Sequence, residues 1–407
     1  MKSNCIILSK KISGSVILPA SKSISNRALI LKALSGSSDV KNLSCCDDTD
    51  AVVAALSSFK NEINVGAAGT AMRFLTAYLS LKAGEWQITG SERMLHRPIK
   101  ILVDALRNIG ADIEYLNEEG FPPLRIKGHS LIGGDIEIDG SVSSQYISAL
   151  LMIAPYTQNG INMYLNGKIS SKPYIKMTLS MMESFGVSTV WHDNVIKIFP
   201  QKYSNTSYIV ENDWSAASYW YEIISLTENA ELELIGLSKN SLQGDSVVAT
   251  IFESLGVQTE YLNGNVRIKK TSTPVKKLFY DFNSCPDLAQ TIVVTCCLLG
   301  VQFNFCGLQS LKIKETDRIA ALKKECAKMG FKLEEIGIGE LSWNGLKIET
   351  SGEFSIDTYD DHRMAMAFAP AAMCLQNILI NNPNVVSKSY PLFWEDLKEH
   401  GFLVLSQ

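Results

Sequence analysis

The chain has 407 residues, more than the roughly 250–300 at which a single hydrophobic core stops growing, so two domains are expected. Apolar residues make up 46% and charged residues 20%, which excludes wholesale disorder and any collagen-like or low-complexity chain. The 38 Lys and Arg against 42 Asp and Glu leave a net charge of −4, too mild for a nucleic-acid binder but compatible with a local cluster of one sign.

At the N-terminus the apolar run Ile6-Ile7-Leu8 is far shorter than the core of a secretory leader. The longest apolar stretch, residues 288–303, is interrupted by Gln290, Thr291, Thr295 and Gly300. It falls short of the roughly 18–20 residues that span a membrane, so a cytoplasmic protein without membrane contact is expected. The 9 cysteines are odd in number, contain no C-x-x-C and include two adjacent pairs, Cys45-Cys46 and Cys296-Cys297. That pattern suits free, buried thiols in a reducing compartment rather than a disulfide framework or zinc site. The 5 histidines have no ligand spacing, so no metal is expected.

In chain order, residues 28–34, 71–81, 146–154, 288–299 and 364–375 read as helices that are apolar nearly all round, and therefore buried. Each follows a short polar segment. The first is Ser21-Lys22-Ser23-Ile24-Ser25-Asn26-Arg27, whose hydroxyls and cations suit phosphate or carboxylate oxygens; the plain alternative is an N-cap on a solvated turn. The second, Gly66-Ala67-Ala68-Gly69-Thr70, gives a ligand close access to backbone, or equally makes a tight packing turn. It lacks the Gly-Lys-Ser/Thr ending of a P-loop. Arg97 follows in Leu95-His96-Arg97-Pro98, and then Ser141-Val142-Ser143-Ser144-Gln145 opens the third helix. Helix N-termini carry unpaired N–H groups and partial positive charge, so buried helices aimed at one place would build an anion site between domains.

Further along, Pro286-Asp287 opens the fourth helix. In Lys314-Glu315-Thr316-Asp317-Arg318 a continuing helix would set Lys314 and Arg318 on one face and let Glu315 pair with Arg318. The triplet Asp361-His362-Arg363 feeds the most apolar helix, and Lys388 lies in Ser387-Lys388-Ser389-Tyr390-Pro391. An internal repeat also shows. A helix end, a glycine and then a strand recur at Gly110, Gly186, Gly256, Gly330 and Gly401, spaced 76, 70, 74 and 71 residues apart. A period near seventy is too long for a solenoid and suits α/β subdomains with two helices and several strands each.

The cations Lys22, Arg27, Arg97, Lys314, Arg318, Arg363 and Lys388, set against Asp287 and Glu315, make +5 if they converge. Such a field suits polyanionic small substrates. No Ser-His or Cys-His nucleophile and no dinucleotide motif appears, which leaves acid–base chemistry and electrostatic stabilisation.

With these segments in view, the chain resembles the EPSP synthase (3-phosphoshikimate 1-carboxyvinyltransferase) family over residues 18–397. The resemblance rests on LPASKSISNRA, GAAGTAMR, residues 93–98, GSVSSQ, SKPY, Pro286-Asp287, KETDR, DDHRMAM and VSKSYP, in that order. It implies an α/β (α+β) protein, a two-domain inside-out α/β barrel in which each domain has three βαβαββ-type repeats with buried helices. Residues 20–212 would form the shikimate 3-phosphate side. Residues 1–19 and 213–407 would carry the catalytic acids and the phosphoenolpyruvate cations, with the active site in a cleft between the two. The implied reaction adds the 5-hydroxyl of shikimate 3-phosphate to C2 of phosphoenolpyruvate, and the tetrahedral intermediate then loses phosphate.

By the same resemblance Asp287 is the base for the hydroxyl, Glu315 the acid for the methylene carbon, and Lys22 a third catalytic residue. Cations beside Glu315 favour its charged form, whereas desolvation in a closed cleft favours the neutral acid. Lys22, Ser23, Arg27, Ser143, Ser144, Gln145, Ser171, Tyr174, Asp287 and Lys314 would hold shikimate 3-phosphate. Lys22, Gly69, Arg97, Gln145, Arg318, Arg363 and Lys388 would hold phosphoenolpyruvate. The resemblance implies a monomer with no cofactor, whose partners are these two small molecules. The alternatives are a UDP-N-acetylglucosamine enolpyruvyl transferase and an inactive anion-binding relative. Against the first, Ser23 rather than Asn follows Lys22 and residues 91–97 hold no Cys; against the second, Lys22, Asp287 and Glu315 are all present. Departures from the family pattern are Ala20, Ala67, Phe74, Ser310 and Lys312, where Gly, Asn, Pro, Asn and Arg are frequent.

Overall fold

Gly110, Gly186, Gly256, Gly330 and Gly401 all take positive φ, between 84° and 106°, and each closes a helix. The seventy-residue period is thus a structural one, built on left-handed helix stops that a side chain would strain. The computed structural model describes residues 3–8, 12–36, 38–57, 60–350, 352, 354–375 and 377–406. They form two compact units, one from Ala20–Val210 and the other from the described residues up to Pro19 and from Glu211 onward.

Five sheets share one pattern: a parallel pair, then a third strand antiparallel to the second, then a fourth antiparallel to the third. In the Ala20–Val210 unit these are Glu62–Asn64, Gly84–Thr89, Leu124–Gly128, Asp112–Tyr115, and Gly134–Asp139, Ile161–Asn166, Val195–Ile198, Thr189–His192. Its third sheet is reduced to the parallel pair Asp39–Lys41 and Ser207–Ile209. In the other unit, Ser15–Ile17 heads one sheet and Lys277–Asp281 another. The last sheet is closed by the first strand of the chain. Ser3–Leu8 lies between Ile378–Asn381 and Phe402–Ser406, antiparallel to both.

The helix leading into the second strand of each sheet is the buried one. These are Lys22–Ser35, Gly69–Leu81 and Ser144–Ile153 in one unit, and Trp214–Ser225, Ala289–Leu299 and His362–Phe368 in the other. Nearly every side chain of the last four is buried, so their burial outweighs any propensity argument.

Three details differ from the sequence reading. The helix expected over 364–375 is α-helical only to Phe368 and continues as a 3₁₀ turn, Ala369–Met373, because Pro370 has no N–H to continue the ladder. Trp214–Ser225 was not expected among the buried helices, since its serines and Glu222 mask an otherwise apolar surface. Of the cysteines, all free, Cys46, Cys285, Cys296, Cys297 and Cys326 are buried, but Cys45, Cys306 and Cys374 are exposed. Among the described residues no helix is long and apolar enough to cross a membrane.

Candidate active-site residues

In the Ala20–Val210 unit the candidates cluster at helix starts. Lys22 is the first residue of its helix, and its Nζ lies 3.2 Å from Oδ2 of buried Asp48, in the first turn of Asp47–Ser57. Ser23 offers its carbonyl to Arg27 Nη1 at 2.9 Å. Arg27 is buried. Its Nε donates to Thr178 Oγ1 at 2.7 Å and its Nη2 to Ser148 Oγ at 3.1 Å and to the Tyr174 carbonyl at 3.5 Å. The guanidinium also lies over the rings of Phe74, 5.3 Å away, and Tyr174, 5.9 Å away. These are neutral partners, and burial pulls the Arg27 pKa down to about 10, with Tyr174 opposing the shift. Phe74, unusual for the family pattern, has a role here as the surface under Arg27.

Ser143 caps Ser144–Ile153 by accepting from the Gln145 N–H at 3.3 Å, and Ser144 is buried behind it. Gln145 Nε2 donates to Thr70 Oγ1 at 3.1 Å, which ties this helix start to the turn at Gly69. Arg97 lies directly against Gly69: a Cβ built on that glycine would sit 2.6 Å from Arg97 Nη1. The carbonyl of Pro98, next to Arg97, accepts from Arg73 Nη2 at 2.8 Å and from the Tyr146 hydroxyl at 2.6 Å. Gly69, Arg97 and Gln145 are thus one connected group. Ser171, with φ of 52°, immediately precedes Lys172–Ser184 without a side-chain cap bond, and Tyr174 stands in the first turn of that helix.

In the other unit the candidates form one ion-pair lattice centred on Arg318, which is 1% exposed. Its Nε donates to Asp361 Oδ2 at 2.7 Å and its Nη2 to Asp361 Oδ1 at 3.2 Å, a bidentate pair. Its Nη1 reaches Asp287 Oδ1 at 3.0 Å, and its Nη2 also reaches Glu315 Oε2 at 3.0 Å. Arg363 holds Asp287 twice, Nη2 to Oδ2 at 3.0 Å and Nη1 to the backbone carbonyl at 3.1 Å. Lys314 Nζ is 3.8 Å from Asp287 Oδ1, and Lys388 Nζ is 3.2 Å from Glu315 Oε1. Burial favours the neutral form of Asp287, but Arg363, Lys314 and Arg318 outweigh it and hold the carboxyl well below its ordinary range.

The expected pairing of Glu315 with Arg318 is present, but the helix carrying it is not. Asp317 is an N-cap, accepting from the Ile319 and Ala320 N–H groups at 3.1 and 3.0 Å, so the helix begins at Arg318. Lys314 belongs to the turn before it and does not stand one helical turn below Arg318. The charge count also changes. Two acids outside the sequence count take up cations within their own units, Asp48 beside Lys22 and Asp361 beside Arg318. Within the Arg318 lattice four cations meet three carboxylates, a surplus of +1. Asp48 lay unread in the run Asp47-Asp48-Thr49-Asp50, where only a tertiary contact marks it. Asp245 went unread as well. It is buried, accepts from the Ser215 hydroxyl, and has its pKa raised to about 7 by burial and the nearby Asp287.

Comparison with known proteins gives one answer throughout. The family described as EPSP synthase (3-phosphoshikimate 1-carboxyvinyltransferase) matches residues 7–64 and 57–397. A 3-phosphoshikimate 1-carboxyvinyltransferase of Bacteroides fragilis is 56% identical over 394 residues, 96% of each chain. One from Vibrio cholerae is 39% identical over 417 residues, covering 94% of this chain and 96% of its own. The solved structure of EPSP synthase from Acinetobacter baumannii covers 100% of both chains with a TM-score of 0.80 at 21% identity, which shows a shared fold.

Proposed function

The chain belongs to the EPSP synthase family, and we propose how its own side chains divide that family's reaction. The enzyme transfers the enolpyruvyl group of phosphoenolpyruvate to the 5-hydroxyl of shikimate 3-phosphate and releases phosphate, a step toward aromatic amino acids. The observation that carries the proposal is the Arg318 lattice, which holds Asp287 and Glu315 on one buried guanidinium.

Asp287 takes the proton of the 5-hydroxyl as the oxygen bonds to C2 of phosphoenolpyruvate. Glu315 gives a proton to the methylene carbon, and the tetrahedral intermediate forms. Glu315 then removes a proton from the new methyl group, the double bond returns, and the C–O bond to phosphate breaks. Arg318, Arg363 and Lys388 stabilise the phosphoenolpyruvate anion, together with Lys22, Gly69, Arg97 and Gln145. Ser23, Arg27, Ser143, Ser144, Gln145, Ser171 and Tyr174, with Lys22, Lys314 and Asp287, hold shikimate 3-phosphate. The serines at helix starts present hydroxyls and backbone N–H groups to its phosphate.

The lattice supports a further step. Asp287 is a weak base while Arg363 and Lys314 hold it. Substrate anions compete for those cations, and as they turn away Asp287 gains basicity. Charge on the substrate thus switches on the base that acts on it. Replacing Lys388 or Arg363 by Ala is expected to raise the Michaelis constant for phosphoenolpyruvate by about tenfold or more. An effect confined to shikimate 3-phosphate would contradict the assignment.

A further inference from the structure

Tyr146 directly follows Gln145 in the first turn of the buried helix Ser144–Ile153, and its side chain is buried. Its hydroxyl donates to the Pro98 carbonyl at 2.6 Å, and Pro98 follows Arg97. This bond closes a ring of contacts. Gln145 donates to Thr70, which follows Gly69; Tyr146 donates to Pro98; and Arg97 packs on Gly69. Arg73 spans the ring, with Nη2 donating to the Pro98 carbonyl at 2.8 Å and Nη1 to the Gly69 carbonyl at 3.3 Å. Its guanidinium lies 5.9 Å from the centre of the Tyr146 ring.

Arg318 and Arg363 are aimed by the carboxylates they bind. Arg97 is buried, yet among the described residues no acid pairs with it and its Nε has no hydrogen-bond partner. A cation without a counter-charge has to be aimed by its main chain. On one side the Arg97 N–H donates to the Met94 carbonyl at 3.0 Å. On the other side Pro98 has no N–H to give, so its carbonyl is the group through which it can be pinned. Tyr146 and Arg73 both use that carbonyl.

We propose that Tyr146 is a positioning residue for Arg97. Its hydrogen bond to Pro98 fixes the main chain beside Arg97, which keeps the guanidinium against Gly69 and on the same anion as Gln145. The inference rests on the assignment of Arg97 to phosphoenolpyruvate.

The test is Tyr146→Phe in the full chain, with steady-state kinetics for both substrates and a thermal unfolding midpoint. Tyr203→Phe is the control, because Tyr203 is also buried and its hydroxyl donates to a carbonyl of the same helix, that of Met152, at 2.8 Å. In Tyr146→Phe the Michaelis constant for phosphoenolpyruvate is expected to rise about fivefold, the worth of one hydrogen bond. That for shikimate 3-phosphate and the turnover number stay within about twofold. Tyr203→Phe lowers the midpoint at least as much and leaves both Michaelis constants unchanged. In the Arg97→Ala background Tyr146→Phe adds no further rise. An unchanged phosphoenolpyruvate constant in Tyr146→Phe, or an equal rise in Tyr203→Phe, overturns the inference. Arg97→Ala alone separates the two readings. If it raises the phosphoenolpyruvate constant while Tyr146→Phe does not, the positioning role fails by itself. If it leaves that constant unchanged, the assignment of Arg97 fails and the positioning role with it.

Discussion

Gly69 and Arg97 show how closely a side chain is fitted to bare backbone. The Arg97 guanidinium occupies the space a Cβ on Gly69 would need, at 2.6 Å from Nη1. Since the obstacle is the far end of a flexible side chain, Gly69→Ala leaves the fold intact and displaces the guanidinium. The expected result is a Michaelis constant for phosphoenolpyruvate raised by about tenfold, with that for shikimate 3-phosphate unchanged; steady-state kinetics with each substrate varied in turn checks it. Asp245 makes a different prediction. Its folded pKa of about 7 exceeds the ordinary carboxyl value of about 3.9. The stability tied to keeping its proton is fully present below pH about 4 and is lost as pH rises through 7. Asp245→Asn cannot ionise, so its unfolding midpoint should gain on the parent protein between pH 5 and pH 8. An offset that does not change with pH would contradict this.

The buried helices explain why functional groups gather where they do. Asp361 caps His362–Phe368 through the Arg363 N–H at 2.9 Å and binds Arg318 with both carboxylate oxygens, so one acid starts a helix and anchors the lattice. Asp317 begins the Arg318 helix in the same way. Removing Arg318 leaves Asp361, fully buried, without its bidentate partner and takes one cation each from Asp287 and Glu315. Arg318→Ala is therefore expected to cost about 3–5 kcal/mol in denaturant unfolding. A loss below about 1 kcal/mol, the worth of an exposed pair, would contradict that picture. Much of this was legible beforehand. Polar segments ahead of apolar helices marked Lys22, Gly69, Ser143, Asp287 and Arg363, and each stands at a helix start. The acids that neutralise them were not legible, because Asp48 meets Lys22, and Asp361 meets Arg318, only through tertiary packing. The Lys314–Arg318 face was misread because the cap at Asp317 delays the helix by three to four residues, and local charge spacing does not reveal a cap already occupied.

The whole chain is organised by its repeat. Five glycine stops and five four-stranded sheets recur at one period, and the strand Ser3–Leu8 completes the sheet formed by the last repeat. The glycines made this repeat visible in sequence, since only a left-handed stop leaves so plain a mark. The sixth sheet, a parallel pair of three-residue strands, Asp39–Lys41 and Ser207–Ile209, left none, as its helix Asp47–Ser57 has no such glycine after it in the described residues. On this scaffold we propose that Asp287, held and released by the cations around it, is the base of enolpyruvyl transfer. The most direct measurement is phosphate release from shikimate 3-phosphate and phosphoenolpyruvate, each omitted in turn, by the parent chain and by Asp287→Ala, with shikimate 3-phosphate binding measured alongside. Release is expected to need both substrates and to fall by about a hundredfold or more in the variant, while the variant still binds shikimate 3-phosphate. Near-parental release by Asp287→Ala would contradict it.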